Sequence, residues 1–478
     1  MVSISGHLST EPQTLNKPKT LEIKNMFDSI RAHVALHPCF WLFMAVFVIQ
    51  IVIVFVTCGL PLSPSLQQIS PAPAAGDCNS GEVYVYDLPA MFNKELTDNC
   101  NDSDPYNWRC QAVSNDGFGR RATELAGILP ENLAPAWYKT NQFSSEILFH
   151  NRMLSHKCRT LDPESATAFY IPFYAGLAVG KYLWIQNHTM RDRDCEMLLR
   201  WVQDQPFWKR SNGWDHFITL GRIIWDFRRL NNPELGWGSS FVNMPAMTNV
   251  TRFTIERAPS EYLDVGVPYP TGFHPRSDDD VSQWQEFVRN RNRTSLYCFV
   301  GMARGDIKND FRGLLLSECA NESDSCRAVG CSETRCSIGY SESLEAFLSS
   351  DFCLQPRGDS YTRRSTFDCM VAGSIPVFFW NRTAYNQYEW FLPVEPESYS
   401  VYIDHYDVRN GTSIKGVLER YSREEVRRMR ERVIEYIPKF VYAKPSEGLE
   451  SIRDAFDVAI DGVFKRFKGQ RQIENMYN

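Results

Sequence analysis

The chain has 478 residues, 43% apolar and 13% aromatic, which suits a large core in two domains of similar size rather than one small module. Lysine and arginine number 51 against 57 acidic residues, a net charge of −6 with no basic block beyond clusters such as Arg427, Arg428 and Arg430. This excludes a polyanion-coating protein and a nucleic-acid partner, and the composition excludes disordered, collagen-like and polytopic classes.

Residues 1–39 carry Lys17, Lys19, Lys24 and Arg31 and precede a 21-residue run, Phe40 to Leu60, with 18 apolar residues and no charge. That length suits one bilayer crossing. No Lys or Arg follows until Lys94, so the asymmetry predicts a cytosolic tail over 1–39, a transmembrane signal anchor over 40–60 and a lumenal remainder. A cleavable signal peptide would have a shorter apolar region and a less extended charged region before it. Seven sequons lie downstream, at Asn101, Asn187, Asn249, Asn292, Asn321, Asn381 and Asn410, as candidate glycosylation sites. Twelve of the fourteen cysteines also lie there, an even number for an oxidising lumen. The pair Cys100 and Cys110, and the run Cys319, Cys326, Cys331 and Cys336, lack the C-x-x-C spacing of zinc sites, so they read as disulfides.

Residues 61–80 read as a stem, rich in Pro, Ser, Ala and Gln. A first α/β domain over 81–275 has strand candidates in GEVYVYDLP, ATAFYIPFYAG, DHFITLG and TRFTIE, with helical spacing in SSEILFHNRMLSH and CEMLLRWVQD between them. Three prolines and three consecutive aspartates in VPYPTGFHPRSDDD mark a linker. A second α/β domain over 295–440 restarts the alternation with TSLYCFVG, DFRGLLLSECA, LSSDFCLQP, RRSTFDCMVAGS and IPVFFW. Helical spacing over 422–440 and 449–467 closes the chain, with 441–478 as a C-terminal helix and tail. Alternation of this kind predicts parallel sheets, and two such sheets place their strand C-termini around one cleft.

The richest stretch is CLQPRGDSYTRRSTFDCMVAGSIPVFFW, Cys353 to Trp380. A strand ending at Pro356, a turn freed by Gly358, hydroxyl and amide donors at Ser360 to Thr362, and a helix starting near Arg363 make a site for a diphosphate. Asp368, one turn into that helix, is placed to accept from a ribose diol. An ordinary loop with a solvated arginine pair is the competing reading.

This stretch strongly resembles the nucleotide-sugar signature of the exostosin-like glycosyltransferases, in particular their plant branch of xyloglucan galactosyltransferases. VYVYDLPAMFN, WYKTNQFSSEILFHNRM, FYIPFYAGLAVGKYLW, DHFITLGRIIWDFRRL, VPYPTGFHP and DAFDVAI agree in order, from about residue 81 to 465. The resemblance implies a Golgi type II membrane enzyme with a GT-B-like fold, two Rossmann-like domains facing one cleft, the first for the acceptor and the second for the donor. It implies inverting transfer of galactose from UDP-galactose to xylosyl side chains of xyloglucan during cell-wall synthesis, with other Golgi glycosyltransferases as partners. Donor binding then falls on Gly301, Arg304, Gly358, Ser360, Thr362, Arg363, Arg364 and Asp368. One departure is Ala178, where the plant enzymes carry an acidic residue. A UDP-galacturonic acid or UDP-pentose donor, or a non-catalytic lumenal glycan-binding scaffold, are the alternatives.

Inversion needs a base on the acceptor side, for which His216, Asp226 and Glu256 are candidates. Asp226 lies between Trp225 and Phe227, an apolar setting, and Glu256 follows a strand directly. Arginines 304, 363 and 364 are expected to neutralise the leaving diphosphate without a metal or other cofactor. The runs Asp192 to Asp194 and Asp278 to Asp280 read as solvated surface rather than metal ligands. Tyr174, Trp184 and Trp225 are candidates for stacking on acceptor sugars.

Overall fold

The computed structural model describes Gln50, Cys78 and residues 80–102, 110–185, 187–230, 236–304, 310–330 and 341–477. The segments expected to form a cytosolic tail, an anchor apart from Gln50, and a stem up to residue 77 lie outside the described residues, as do Cys331 and Cys336. Among the described residues, no helix is long and apolar enough to cross a membrane.

Two parallel α/β sheets organise the chain. The first contains β1 (Val83–Val85), β2 (Arg159–Thr160), β3 (Ala168–Ile171), β4 (His216–Leu220), β5 (Thr251–Thr254) and β6 (Asp264–Gly266), in the order β2-β1-β3-β4-β5-β6. The second contains β7 (Ser295–Gly301), β8 (Cys326–Gly330), β9 (Ser350–Gln355), β10 (Ile375–Phe378) and β11 (Val401–Tyr402), in the order β11-β10-β9-β7-β8. Strands β3, β4, β5 and β10 are buried along their whole length, as expected of parallel strands covered on both faces.

The segment expected to be a linker after Pro275 is helical over Asp278–Asn290. Ser277 caps it, accepting from the Asp280 amide, and the three aspartates fill its first turn, where negative charge favours the free N–H groups. Its Trp284 is fully buried against Trp137 and Phe273 and donates its indole N–H to the Val371 carbonyl at 2.8 Å. The intervening helix therefore packs both halves together. One apolar cluster accordingly runs from Tyr170, Phe217 and Phe253 of the first sheet to Cys298, Cys353 and Phe367 of the second. The helix Ala455–Tyr477 returns to the first sheet, where Phe467 meets Phe217 and Arg471 donates to the Thr167 carbonyl at 3.0 Å.

Disulfides join Cys100 to Cys110 and Cys319 to Cys326, and also Cys78 to Cys158 and Cys353 to Cys369. The last ties β9 to the helix Ser365–Val371, so it brackets the loop between them. Cys195 and Cys298 are buried thiols.

Candidate functional site

A cavity of about 300 Å³ opens where the C-terminal ends of β5, β7 and β9 converge. Gly358, Ser360, Thr362, Arg363, Arg364 and Asp368 line one side, and Glu256 and Tyr269 the other, with Gln142, Phe143 and Ile223 completing the wall on the side of the first sheet.

The loop after β9 is held tightly. A Cβ at Gly358 would stand 2.1 Å from the Thr362 carbonyl oxygen, so only glycine permits this turn. The following helix begins at Ser365, whose hydroxyl donates to Gln355 at 2.8 Å, and ends before Gly373, whose φ of +69° is left-handed. Arg363 donates to the Val300 carbonyl at 2.8 Å, and Arg364 donates to the Thr140 carbonyl and pairs with Asp368 at 3.4 Å. Arg363 Nη1 and Arg364 Nη2 are buried without a hydrogen-bond partner. Burial, with Arg312 and Arg304 nearby, lowers Arg363 to about 9, and burial lowers Arg312 to about 10. Both remain protonated at neutral pH, and such crowding of partly unsatisfied guanidiniums suits an anionic ligand with several acceptor oxygens. Burial pushes Asp368 up to about 6 against the pull of Arg364 and Arg363. Arg304 pairs with exposed Asp359 at the rim, and Gly301 ends β7 beneath it; neither lines the cavity.

Glu256 is the one carboxylate that the first sheet contributes to the cavity wall among the described residues. It follows β5 and is 1% exposed. Its Oε1 accepts from the Tyr269 hydroxyl at 2.9 Å and the Thr362 amide at 3.4 Å, and its Oε2 from the Tyr361 amide at 3.0 Å. Burial pushes it up to about 7, although these donors pull the other way. The amides of Tyr361 and Thr362, expected to face a diphosphate, thus hold Glu256 across the cleft.

The other candidate bases lie elsewhere. His216 is the first residue of β4, at the strand end opposite a C-terminal cleft, between the Tyr86 hydroxyl at 2.8 Å and Asp215 at 2.7 Å, and stacked on Phe169. Burial lowers its pKa. Asp226 is not in an apolar setting: Arg222 pairs with it and the Trp237 indole donates to it, each at 2.7 Å, while Trp225 beside it is 63% exposed. Neither His216 nor Asp226 lines the cavity. Tyr174 is buried and bonded to His150 at 2.9 Å, which withdraws it from acceptor stacking, and Trp184 and Trp225 stand outside the cavity wall.

The aspartate runs have structural partners. Asp192 is buried and accepts from Arg229, Ser239 and Ser240, and Asp280 is buried and binds Arg276, which corrects the reading of both as solvated surface; Asp278 accepts from the Glu450 and Ser451 amides. Among the described residues no cluster of three His, Cys, Asp or Glu side chains could hold a metal ion. The sequon asparagines 101, 187, 292, 321, 381 and 410 are exposed, whereas Asn249 is half-buried and donates its amide to the Asn212 carbonyl at 3.0 Å.

Two further residues escape a motif reading. Arg312, in the first turn of the helix Phe311–Asn321 that follows β7, lines the cavity; its place at the start of the element after that strand is the signal. Glu146 is buried and accepts from the Gly176, Leu177 and Gly221 amides at 2.8 to 3.0 Å, and burial pushes it up to about 7. It fastens the start of the helix Ala175–Gly180 to the end of β4, where the sequence carries the short residues that permit this approach.

The exostosin GT47 domain model matches residues 77–418. The chain is 52% identical to xyloglucan galactosyltransferase XLT2 of Arabidopsis thaliana, over 98% of this chain and 97% of that protein. It is 40% identical to xyloglucan galactosyltransferase MUR3, over 81% of this chain and 62% of that protein, and 38% identical to xyloglucan-specific galacturonosyltransferase 1, over 82% and 58%, both from Arabidopsis thaliana. Among solved structures, a chain of a GtfA/B complex aligns at 8% identity with a TM-score of 0.29, over 58% of this chain and 61% of that one, too distant to carry an argument. The match spans both sheets and the cavity between them, and with it the chain belongs to the exostosin GT47 family of glycosyltransferases.

Proposed function

We propose that this glycosyltransferase moves galactose from UDP-galactose, with inversion, onto xylosyl side chains of xyloglucan, as a GT-B-like, single-pass type II Golgi membrane protein with its catalytic domain in the lumen. The observation that carries the reading is one cavity with buried, partly unpartnered Arg363 and Arg364 on one side and a single carboxylate, Glu256, on the other. The arginines, with Arg312, take the diphosphate and its leaving charge, and Asp368 holds the ribose. The acceptor hydroxyl attacks the anomeric carbon from the face opposite UDP. Glu256 receives its proton, and a carboxyl raised to about 7 is well matched to that task near neutral pH. The relatives named for xyloglucan support the acceptor.

A second reading keeps the cavity and changes the donor to UDP-galacturonic acid. The cavity's own cations favour it: Arg312 and Arg363 both line the wall, and burial lowers each, with neighbouring guanidiniums adding to the effect, so an extra carboxylate on the sugar would find a cation there. One experiment decides: the full chain in detergent, given xyloglucan oligosaccharides and a panel of UDP-sugars. Preference for UDP-galactose supports the first reading, preference for UDP-galacturonic acid the second, and no transfer from any of them refutes both.

A further inference from the structure

The cavity is too small for a polysaccharide backbone: about 300 Å³ lies at the lower bound of small-ligand sites. A polymeric acceptor must therefore lie outside it with only a side chain inserted. Beyond Ile223 the same segment leads to aromatic residues outside the cavity. Ile223 lines the cavity, and the short turn Ile224–Phe227 after it begins with the Ile224 amide donating to the Glu256 carbonyl at 3.3 Å. That turn carries Trp225 into solvent, 63% exposed. Asp226, in the same turn, anchors the Trp237 indole at 2.7 Å, and Trp237 meets Trp184 edge to face at 5.0 Å. Trp184 is itself 56% exposed. An indole left this open forgoes burial that most tryptophans obtain, and two on one continuation of a sugar site are an informative departure.

We propose that Trp225 and the Trp184–Trp237 pair form a subsite for the backbone of a β-linked hexopyranose polymer whose side chain enters the cavity. Equatorially linked pyranoses present flat C–H faces, and an exposed indole offers a rigid apolar plane of matching size with little entropy to lose on stacking. Asp226 then acts as a positioning residue: its carboxylate is spent on Arg222 and Trp237, which fixes the turn and the aromatic pair. The inference rests on the xyloglucan reading and specifies where the polymer lies.

The test compares Trp225→Ala, Trp184→Ala and Trp225→Phe in the full chain, with galactose-free xyloglucan polymer and its single-repeat oligosaccharide as acceptors. The alanine variants should raise KM for the polymer about threefold to tenfold, with kcat within about twofold and a smaller rise for the oligosaccharide, while the phenylalanine variant restores most of the loss. UDP affinity at the wild-type level marks a folded donor site. An unchanged polymer KM, or equal rises for both acceptors, overturns the subsite. Should the wild type transfer nothing to xyloglucan, the functional reading fails separately, and retardation of the full chain in gels containing xyloglucan or hydroxyethyl cellulose decides: retardation lost in Trp225→Ala supports the subsite, and none for the wild type overturns it.

Discussion

Glu256→Gln keeps the side chain's shape and one acceptor oxygen but removes its charge, so it separates proton transfer from donor binding. The rise from 4.5 to about 7, at about 1.36 kcal/mol per unit, amounts to roughly 3 kcal/mol against the charged form in the folded protein. The folded pKa lies above the unfolded one, so this stabilisation is fully present below pH 4.5 and is lost as pH rises through about 7. Thermal melts of the wild type should therefore weaken between about pH 4.5 and 7 and level off above it, and those of the variant less so; Glu146 contributes a similar loss to both. General-base catalysis contributes about 10²- to 10⁴-fold, so the variant should lose at least a hundredfold in kcat, or about 2.7 kcal/mol of barrier. Wild-type kcat/KM should rise as pH passes about 7 and Glu256 ionises, and the variant should lack that limb. UDP affinity, measured by calorimetry, should stay at the wild-type level or tighten, because a negative charge has left a site crowded with arginines. A correctly folded variant with kcat within a few fold and the same pH limb refutes the assignment. If UDP affinity falls instead of kcat, Glu256 serves only to hold the Tyr361 and Thr362 amides.

Arg364→Ala should weaken UDP by about tenfold to over a hundredfold, since a charge-assisted hydrogen bond in a buried site contributes roughly 1.5 to 3 kcal/mol; calorimetry at wild-type affinity would contradict the donor side. Gly358→Ala should lower UDP affinity and turnover together, because its Cβ would stand 2.1 Å from the Thr362 carbonyl and force the donor loop open. Excess chelator should leave most turnover intact, with the arginines carrying the diphosphate charge, and complete loss that magnesium or manganese restores would overturn this.

Most of the sheet architecture is legible in the sequence, and what escapes has a common cause. The strands that a sequence pattern misses, β2, β6, β8 and β11, are the four sheet edges. An edge strand is packed on fewer sides, so it needs no long apolar run, and three of these have only two or three residues. The proposed donor loop is readable because its chemistry is local: glycine, hydroxyls, paired arginines and an aspartate one turn later share a single stretch. The proposed base is not local. Asp226 and Glu256 look alike in sequence, each beside a hydrophobic strand end, and only the fold reveals Arg222 against the first and the Tyr361 amide against the second. Arg312 and Glu146 escape for the same reason, since their partners are contributed by segments distant in sequence or by the folded loop. The aspartates after Ser277 read as linker because charge runs favour solvent, yet they start a helix that buries Asp280 and, one turn on along the same face, Trp284.

A single reaction distinguishes inverting galactosyl transfer by Glu256 from every alternative. Full chain, UDP-galactose and xyloglucan stripped of galactose are combined, and the anomeric proton coupling of the new residue is read by NMR. The expected product is a β-linked galactose on a xylosyl side chain, with wild-type yield reduced at least about a hundredfold in Glu256→Gln under initial-rate conditions. An α-linked product, or β-transfer that proceeds undiminished in that variant, would contradict it.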